Sequence, residues 1–110
     1  METNKSVLER ELQNKLLSLK DLNETEWKKL EYSVNQLQDN FVSSLREKFS
    51  GLSKDDIHII LLMRINIKNI EIARLLHILP KSFRMRRCRL KKKMRIDCDS
   101  LSEFIKNLFR

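Results

Sequence analysis

Glycine and proline are almost absent from this 110-residue chain, which has one of each, and cysteine occurs only twice. Tight β-hairpins use Gly, Asn and Asp turns, and a sheet protein of this size needs several. One Gly and one Pro beside eighteen Leu point to an all-α chain. Two cysteines, Cys88 and Cys98, are too few for a disulfide framework. No CxxC or HxxxH spacing offers the roughly four ligands of a zinc site, so neither a metal nor a cofactor is expected. Reduced thiols in a cytoplasmic protein are the expectation. The opening Met1-Glu2-Thr3-Asn4-Lys5 has no apolar h-region, so a signal peptide is not expected. The longest apolar run, Ile57 to Met63, is broken by His58 and falls far short of the ~20 residues of a membrane span. No Ser/His/Asp set, paired-carboxylate pocket or glycine-rich phosphate loop is visible, and the chain is not expected to be an enzyme.

What the chain has is charge, unevenly spread. The formal net charge is +8, with 35% charged beside 41% hydrophobic residues, enough apolar content for a core. Residues 1–63 hold nine Lys/Arg and eleven Asp/Glu, net −2; residues 64–110 hold fourteen and four, net +10. Residues 81–95 contain nine Lys/Arg and no acid. That asymmetry points to a polyanionic partner, either nucleic acid or an anionic membrane surface.

Apolar residues at 8, 12, 16 and 19 follow helical spacing, predicting an amphipathic helix over about 5–20, with a break at Asp21–Asn23. A longer stripe of Trp27, Leu30, Val34, Leu37, Phe41, Leu45 and Phe49, at steps of three and four, predicts one continuous helix near 24–49. It either packs on the chain's own second half or presents a surface to a second copy, a sensor domain or a partner helix. Ser50-Gly51 offers a helix C-cap. Ser53 as N-cap, Asp56 as the acid of a capping box, and Leu52 and Ile57 as a hydrophobic staple predict a helix over about 54–65. Its inward residues are Ile57, Ile60, Leu61 and Ile65. Asn66 suits a left-handed turn. A short helix of about 69–77 follows, and Pro80 suits the first position of another over about 80–94. There Phe83, Leu90 and Met94 form a thin apolar seam with Arg87 between them. Leu101, Phe104, Ile105, Leu108 and Phe109 predict a terminal helix capped by Ser100 or Asp99. The division is a helical segment, 1–50, and a second unit, 51–110.

Three short helices in series, the last basic and preceded by a tight turn, describe a helix-turn-helix. Such a unit lays its last helix in the DNA major groove, which admits one α-helix. Lys and Arg neutralise phosphates and release counterions. The residues also resemble a family. The run LSKDDIHIILLMRINIKNIEIARLLHILPKSFRMRRCRLKKKM is similar to the LuxR/GerE-type helix-turn-helix. The resemblance lies in the opening Leu52-Ser53, Glu71-Ile72-Ala73 with Leu75-Leu76, Ile78 before the turn, Ser82-Phe83, and the ending Arg87-x-Arg89-Leu90-x-Lys92-Lys93-Met94. It is nearest the version that ends bacterial regulators with tetratricopeptide sensor regions, whose lead-in helix resembles LNETEWKKLEYSVNQLQDNFVSSLREKF, and it covers most of 22–109. Three positions depart from that pattern. Lys68 stands where the family has a Ser or Thr cap, Ile70 where it has Lys, and Leu79 where it has Ser before the turn proline. Losing a cap costs about 0.5–2 kcal/mol, and Asn69 offers a replacement for the first. A diverged member with altered DNA preference or lower stability is implied.

The resemblance puts Arg84, Met85 and Cys88 on the groove-facing side. Arg84 suits a guanine edge and Met85 a thymine methyl, whereas Cys88, a weak donor, suits a filler role. Lys81, Ser82, Arg86, Arg87, Arg89, Lys91 and Lys92 are phosphate candidates; for Ser82 a cap within the first turn is an equal alternative. So many cations without an acid repel one another unless a polyanion is present. Arg87, on the seam, is expected to bury its stem and pair with Glu71, and Lys93 to extend its head outward. Ser53, Asp56, Glu71, Phe83, Leu90 and Met94 are read as structural. Asp55 and Asp56 suit the positive end of a helix dipole. His58 and His77 are read as surface or turn residues, and Trp27 and the phenylalanines as core.

Together these readings lead to an all-α, sequence-specific DNA-binding transcription regulator that acts on double-stranded DNA as a homodimer. The alternative is a helical protein-interaction module binding an acidic partner through the basic helix. Membrane-surface binding is disfavoured, since that helix has a thin apolar face and no Trp. No receiver aspartate or sensor fold is visible; residues 1–22 suit the tail of a linker helix if the chain is part of a larger regulator.

Overall fold

The computed structural model describes residues 4–97 and 100–109, and among them every regular element is a helix. In chain order these are α1 (Asn4–Ser18), α2 (Glu24–Leu37), α3 (Phe41–Lys48), α4 (Lys54–Arg64), α5 (Asn69–Leu75), α6 (Pro80–Lys93) and α7 (Leu101–Asn107). No helix among the described residues is long and apolar enough to cross a membrane. Buried residues from all seven join one core.

Helix starts follow local chemistry. Ser53 and Asp56 form the expected capping box: the Ser53 hydroxyl accepts from the Asp56 N–H at 3.1 Å, and the Asp56 carboxylate accepts from the Ser53 N–H at 2.9 Å. Asn23 and Glu26 make a second box at the start of α2, where the sequence reading saw only a break. Pro80 opens α6, where its missing N–H leaves no bond unmade. Ser100 caps α7; Asp99, its alternative, lies outside the described residues.

Helix ends show how a chain with one glycine stops so many helices. Asn66, His77 and Arg95 adopt left-handed φ values of 67°, 56° and 57°. Each is followed by an isoleucine whose N–H reaches back five residues: Ile67 to Leu62 O at 2.9 Å, Ile78 to Ala73 O at 3.0 Å, and Ile96 to Lys91 O at 3.0 Å. These are Schellman closures, with an apolar residue just past the left-handed one. The lone glycine takes no part: Gly51 has no positive φ, and the helix before it ends on Phe49. The expectation of a glycine C-cap at Ser50-Gly51 is therefore corrected.

The continuous helix expected over 24–49 is also corrected. It breaks at Asp39 and Asn40, with φ 53° and 61°, residues whose short polar side chains tolerate the left-handed region. The Asn40 N–H closes on Asn35 O at 2.9 Å, and the Asn35 side chain takes the Val42 N–H at 2.9 Å, capping α3 from the end of α2. The stripe keeps its spacing across the bend because both helices face one core: Leu30, Val34, Phe41 and Leu45 are buried, with Trp27 and Phe49 packed at its edge.

At the centre lies α4, buried from Ile57 to Arg64, with Ile65 buried just beyond it. Two polar residues lie in that stretch, and each is accommodated. Arg64 Nη1 donates to Ile105 O and Leu108 O, both at 2.7 Å, and its guanidinium lies 4.3 Å over the Phe41 ring. It thereby joins the end of α7 to α4 and satisfies carbonyls that the helix end leaves over. His58, expected at a surface or turn, is 8% exposed and stacks on Trp27 with ring centroids 3.7 Å apart. Its position in the stretch of α4 buried from Ile57 to Arg64 overrides the polarity of the side chain. His77, by contrast, is the exposed turn residue it was expected to be. On the N-terminal side, Arg74 of α5 donates to Leu19 O at 2.6 Å and Leu17 O at 3.2 Å, closing the end of α1.

Candidate nucleic-acid interface

The candidate surface is α6, anchored by Phe83 and Leu90, both 1% exposed, and by Met94 at its C-cap. At 100° per residue these lie on one side of the helix, and Arg87 falls on the same side. The opposite side carries Lys81, Met85, Cys88 and Lys92, all exposed. Of the candidate base readers, Arg84, Met85 and Cys88 are all exposed. Of the candidate phosphate ligands, Lys81, Ser82, Arg89 and Lys92 are exposed, whereas Arg86, Arg87 and Lys91 are half-buried.

The two flanks of α6 differ in electrostatics. On the flank facing the start of α4, Lys93 Nζ lies 2.6 Å from Asp56 Oδ2, and Arg86 Nη1 lies 4.0 Å from Asp55 Oδ2. Burial raises the affinity of the Asp56 carboxyl for its proton. The hydrogen bonds from Lys93 and Ser53 outweigh that and hold it below the ordinary carboxylate value. Asp56 thus does two things, closing the α4 capping box and tying α6 to α4. Lys93, expected to reach outward, is held by it. Over residues 81–95, and among the described residues, ion pairs take only these two of the nine cations.

The other flank holds the corrections. Glu71 does not pair with Arg87; it pairs with Arg74, three residues along the same helix, at 2.6 Å. A partner one turn away forms with little ordering, and the competition from α6 loses. The Arg87 guanidinium instead lies 5.3 Å from the Phe83 ring, with a buried Nε that has no hydrogen-bond partner. Asn69 does not cap α5. It is the first residue of that helix, Lys68 occupies the cap without a side-chain bond, and Asn69 Oδ1 is buried and unpartnered. Leu79 likewise caps α6 without a side-chain bond. Sequence reasoning missed Asn69 as a side chain facing α6; its amide at a helix start looks like any cap until the neighbouring helix is in place. No group of His, Cys, Asp and Glu among the described residues is arranged to hold a metal.

A second concavity, of about 410 Å³, lies between α2 and α4. It is lined by Trp27, His58, Glu24, Lys28, Arg46 and Lys54 among others. Its charges largely neutralise one another: Lys54 Nζ meets Glu24 Oε1 at 3.1 Å, and Arg46 pairs with Glu31. It lacks the unpaired single-sign charge that marks α6.

Comparison of the chain with family models, curated proteins and solved structures finds no match.

Proposed function

We propose that the chain is a cytoplasmic, sequence-specific DNA-binding transcription regulator. In this reading α4, α5 and α6 form a LuxR/GerE-like helix-turn-helix, and α6 enters the major groove as part of a homodimer on paired half-sites. The observation that carries the reading is the charge on α6. Among the described residues, six of the eight cations on α6 are in no ion pair, and the outward side of the helix is exposed. Unneutralised cations on one helix attract a phosphate backbone and gain affinity from counterion release. The four-residue connection from Leu76 to Leu79 between α5 and α6 fits the short turn of a helix-turn-helix. Arg84, Met85 and Cys88 are the residues proposed to face base edges, and Lys81, Ser82, Arg86, Arg89 and Lys92 the backbone.

Selection of bound duplexes from a random pool tests this. Enrichment of a short site, repeated with two-fold symmetry about one helical turn apart, is the expected result. A pool that stays random after repeated rounds contradicts it.

A second reading is favoured by one observation. Ile70, Leu79 and Met85 are 66%, 72% and 55% exposed, on α5, in the turn and on α6. Apolar residues among cations suit an acidic partner protein bound through the basic helix. The double variant Arg84→Glu with Lys91→Glu separates the two: DNA affinity collapses under the first reading and survives under the second.

A further inference from the structure

Among the described residues, two buried side-chain polar atoms have no hydrogen-bond partner, Arg87 Nε and Asn69 Oδ1. Both residues line the same cavity of about 200 Å³, between α5, the flank of α6 and the start of α7. Buried polar atoms are nearly always paired, and here two residues that each carry an unpaired one border the same space. The chemistry of the walls says which kind. Arg84, Arg87 and Lys91 enter the cavity from α6 at i, i+3 and i+7, one face of the helix, and Ser102 adds a hydroxyl from α7. None of the described residues lining it carries a carboxylate. The contrast with the opposite flank is direct, for there Asp55 and Asp56 answer Arg86 and Lys93. Three cations gathered in one concavity repel each other unless an anion sits between them.

We propose that this cavity is a seat for one phosphoryl group, held jointly by Arg84, Arg87 and Lys91. The planar fork of a guanidinium matches an oxyanion, and the Arg87 guanidinium lies 5.3 Å from the Phe83 ring at the border of the cavity. The Asn69 amide, turned about its last bond, presents Nδ2 in place of Oδ1 to a phosphoryl oxygen. At roughly 30 Å³ per water molecule the space exceeds a few waters and accommodates a tetrahedral oxyanion. An Arg84 engaged in the seat holds a phosphoryl group, which revises the base-reading role given to it above. A duplex backbone is one source of the phosphoryl group and rests on the DNA-binding reading. A phosphorylated small molecule is the other. The seat itself depends on neither.

The test follows the arginine Nε–H signals of the full chain by NMR, titrating sodium phosphate against sodium chloride at matched ionic strength. A saturable shift of Arg84 and Arg87 with phosphate alone, with Arg89 and Arg95 unmoved, is expected, and Lys91→Gln should weaken it at least several-fold. Equal shifts at all four arginines, or none, overturn the seat. Adding duplex distinguishes the sources: displacement of phosphate assigns the seat to the backbone, and retention beside bound duplex assigns it to a small phosphorylated ligand. If no duplex binds even at low salt, the DNA-binding reading fails while the phosphate titration still decides the seat. Where duplex displaces phosphate, the triple variant Arg84→Gln, Arg87→Gln, Lys91→Gln should lower the slope of log affinity against log salt by about one, the signature of one shared phosphate. A fall of about three means three separate phosphates and contradicts the shared seat.

Discussion

α4 and α6 follow one another closely in the chain and are similar in length, yet eight of the eleven residues of α4 are buried and only two of the fourteen of α6. A helix that is apolar on every side must lie inside the fold, and one with a thin seam can only lie on it. The two helices divide the molecule's tasks accordingly. In α4 even the polar residues serve packing: Arg64 satisfies the carbonyls ending α7, and His58 stacks on Trp27. In α6 the apolar residues serve display, since Phe83 and Leu90 are buried while Lys81, Arg84, Arg89 and Lys92 are exposed. Stability is therefore concentrated in α4 and charge chemistry in α6, and the link between them is Asp56, which belongs to the cap of one and the ion pair of the other.

The sharpest way to break this contrast is to truncate each helix. Leu61→Ala in α4 should lower unfolding free energy by about 2–5 kcal/mol in urea denaturation. Lys92→Ala in α6 should change it by less than ~0.5 kcal/mol. Equal effects would remove the distinction. Next in size is the cap that joins them: Ser53→Ala should lose about 0.5–2 kcal/mol, read from the same denaturation midpoint. A pH series separates two titrating groups of α4, His58 in the packing and Asp56 in the link to α6. His58 has its folded pKa pushed below the ordinary 6.5, chiefly by burial, with Asp55 opposing. Its contribution is full above about 6.5 and is lost as pH falls through the folded value. Asp56, held below its ordinary 3.8, adds a further loss only at more acid pH. Thermal melts of His58→Phe should lack the first loss and keep the second. The smallest effect is at a helix end: His77→Gly relieves a left-handed residue, worth roughly 1–2 kcal/mol, against about 0.4–1 kcal/mol of added unfolded-chain entropy. A net gain of under ~1.5 kcal/mol in thermal melts is expected.

Much of the helix pattern was legible in the sequence, because it rests on local chemistry. The Ser53–Asp56 box, Pro80 at the start of α6, Asn66 in its turn and the buried face of α4 all follow from residues within one or two turns of one another. The bend at Asp39-Asn40 did not, because the stripe keeps steps of three and four on both sides, and only Asn35, reaching to Val42, tells one helix from two. The left-handed His77 and Arg95 were harder to see: arginine does not favour that conformation, histidine does so less obviously than asparagine, and the shared signal is the isoleucine that follows each. On the candidate interface, the anchoring seam of α6 could be read from spacing. The partners of its cations could not, because Asp55 and Asp56 reach α6 through tertiary packing from the start of α4.

The central claim, that α6 reads DNA on a scaffold built around α4, is tested most directly by the affinity of the full chain for a selected duplex against a scrambled one at physiological salt. Binding about a thousand-fold or more tighter to the selected site, with affinity falling linearly in log salt, is the expected result. Equal affinity for the two duplexes would contradict it.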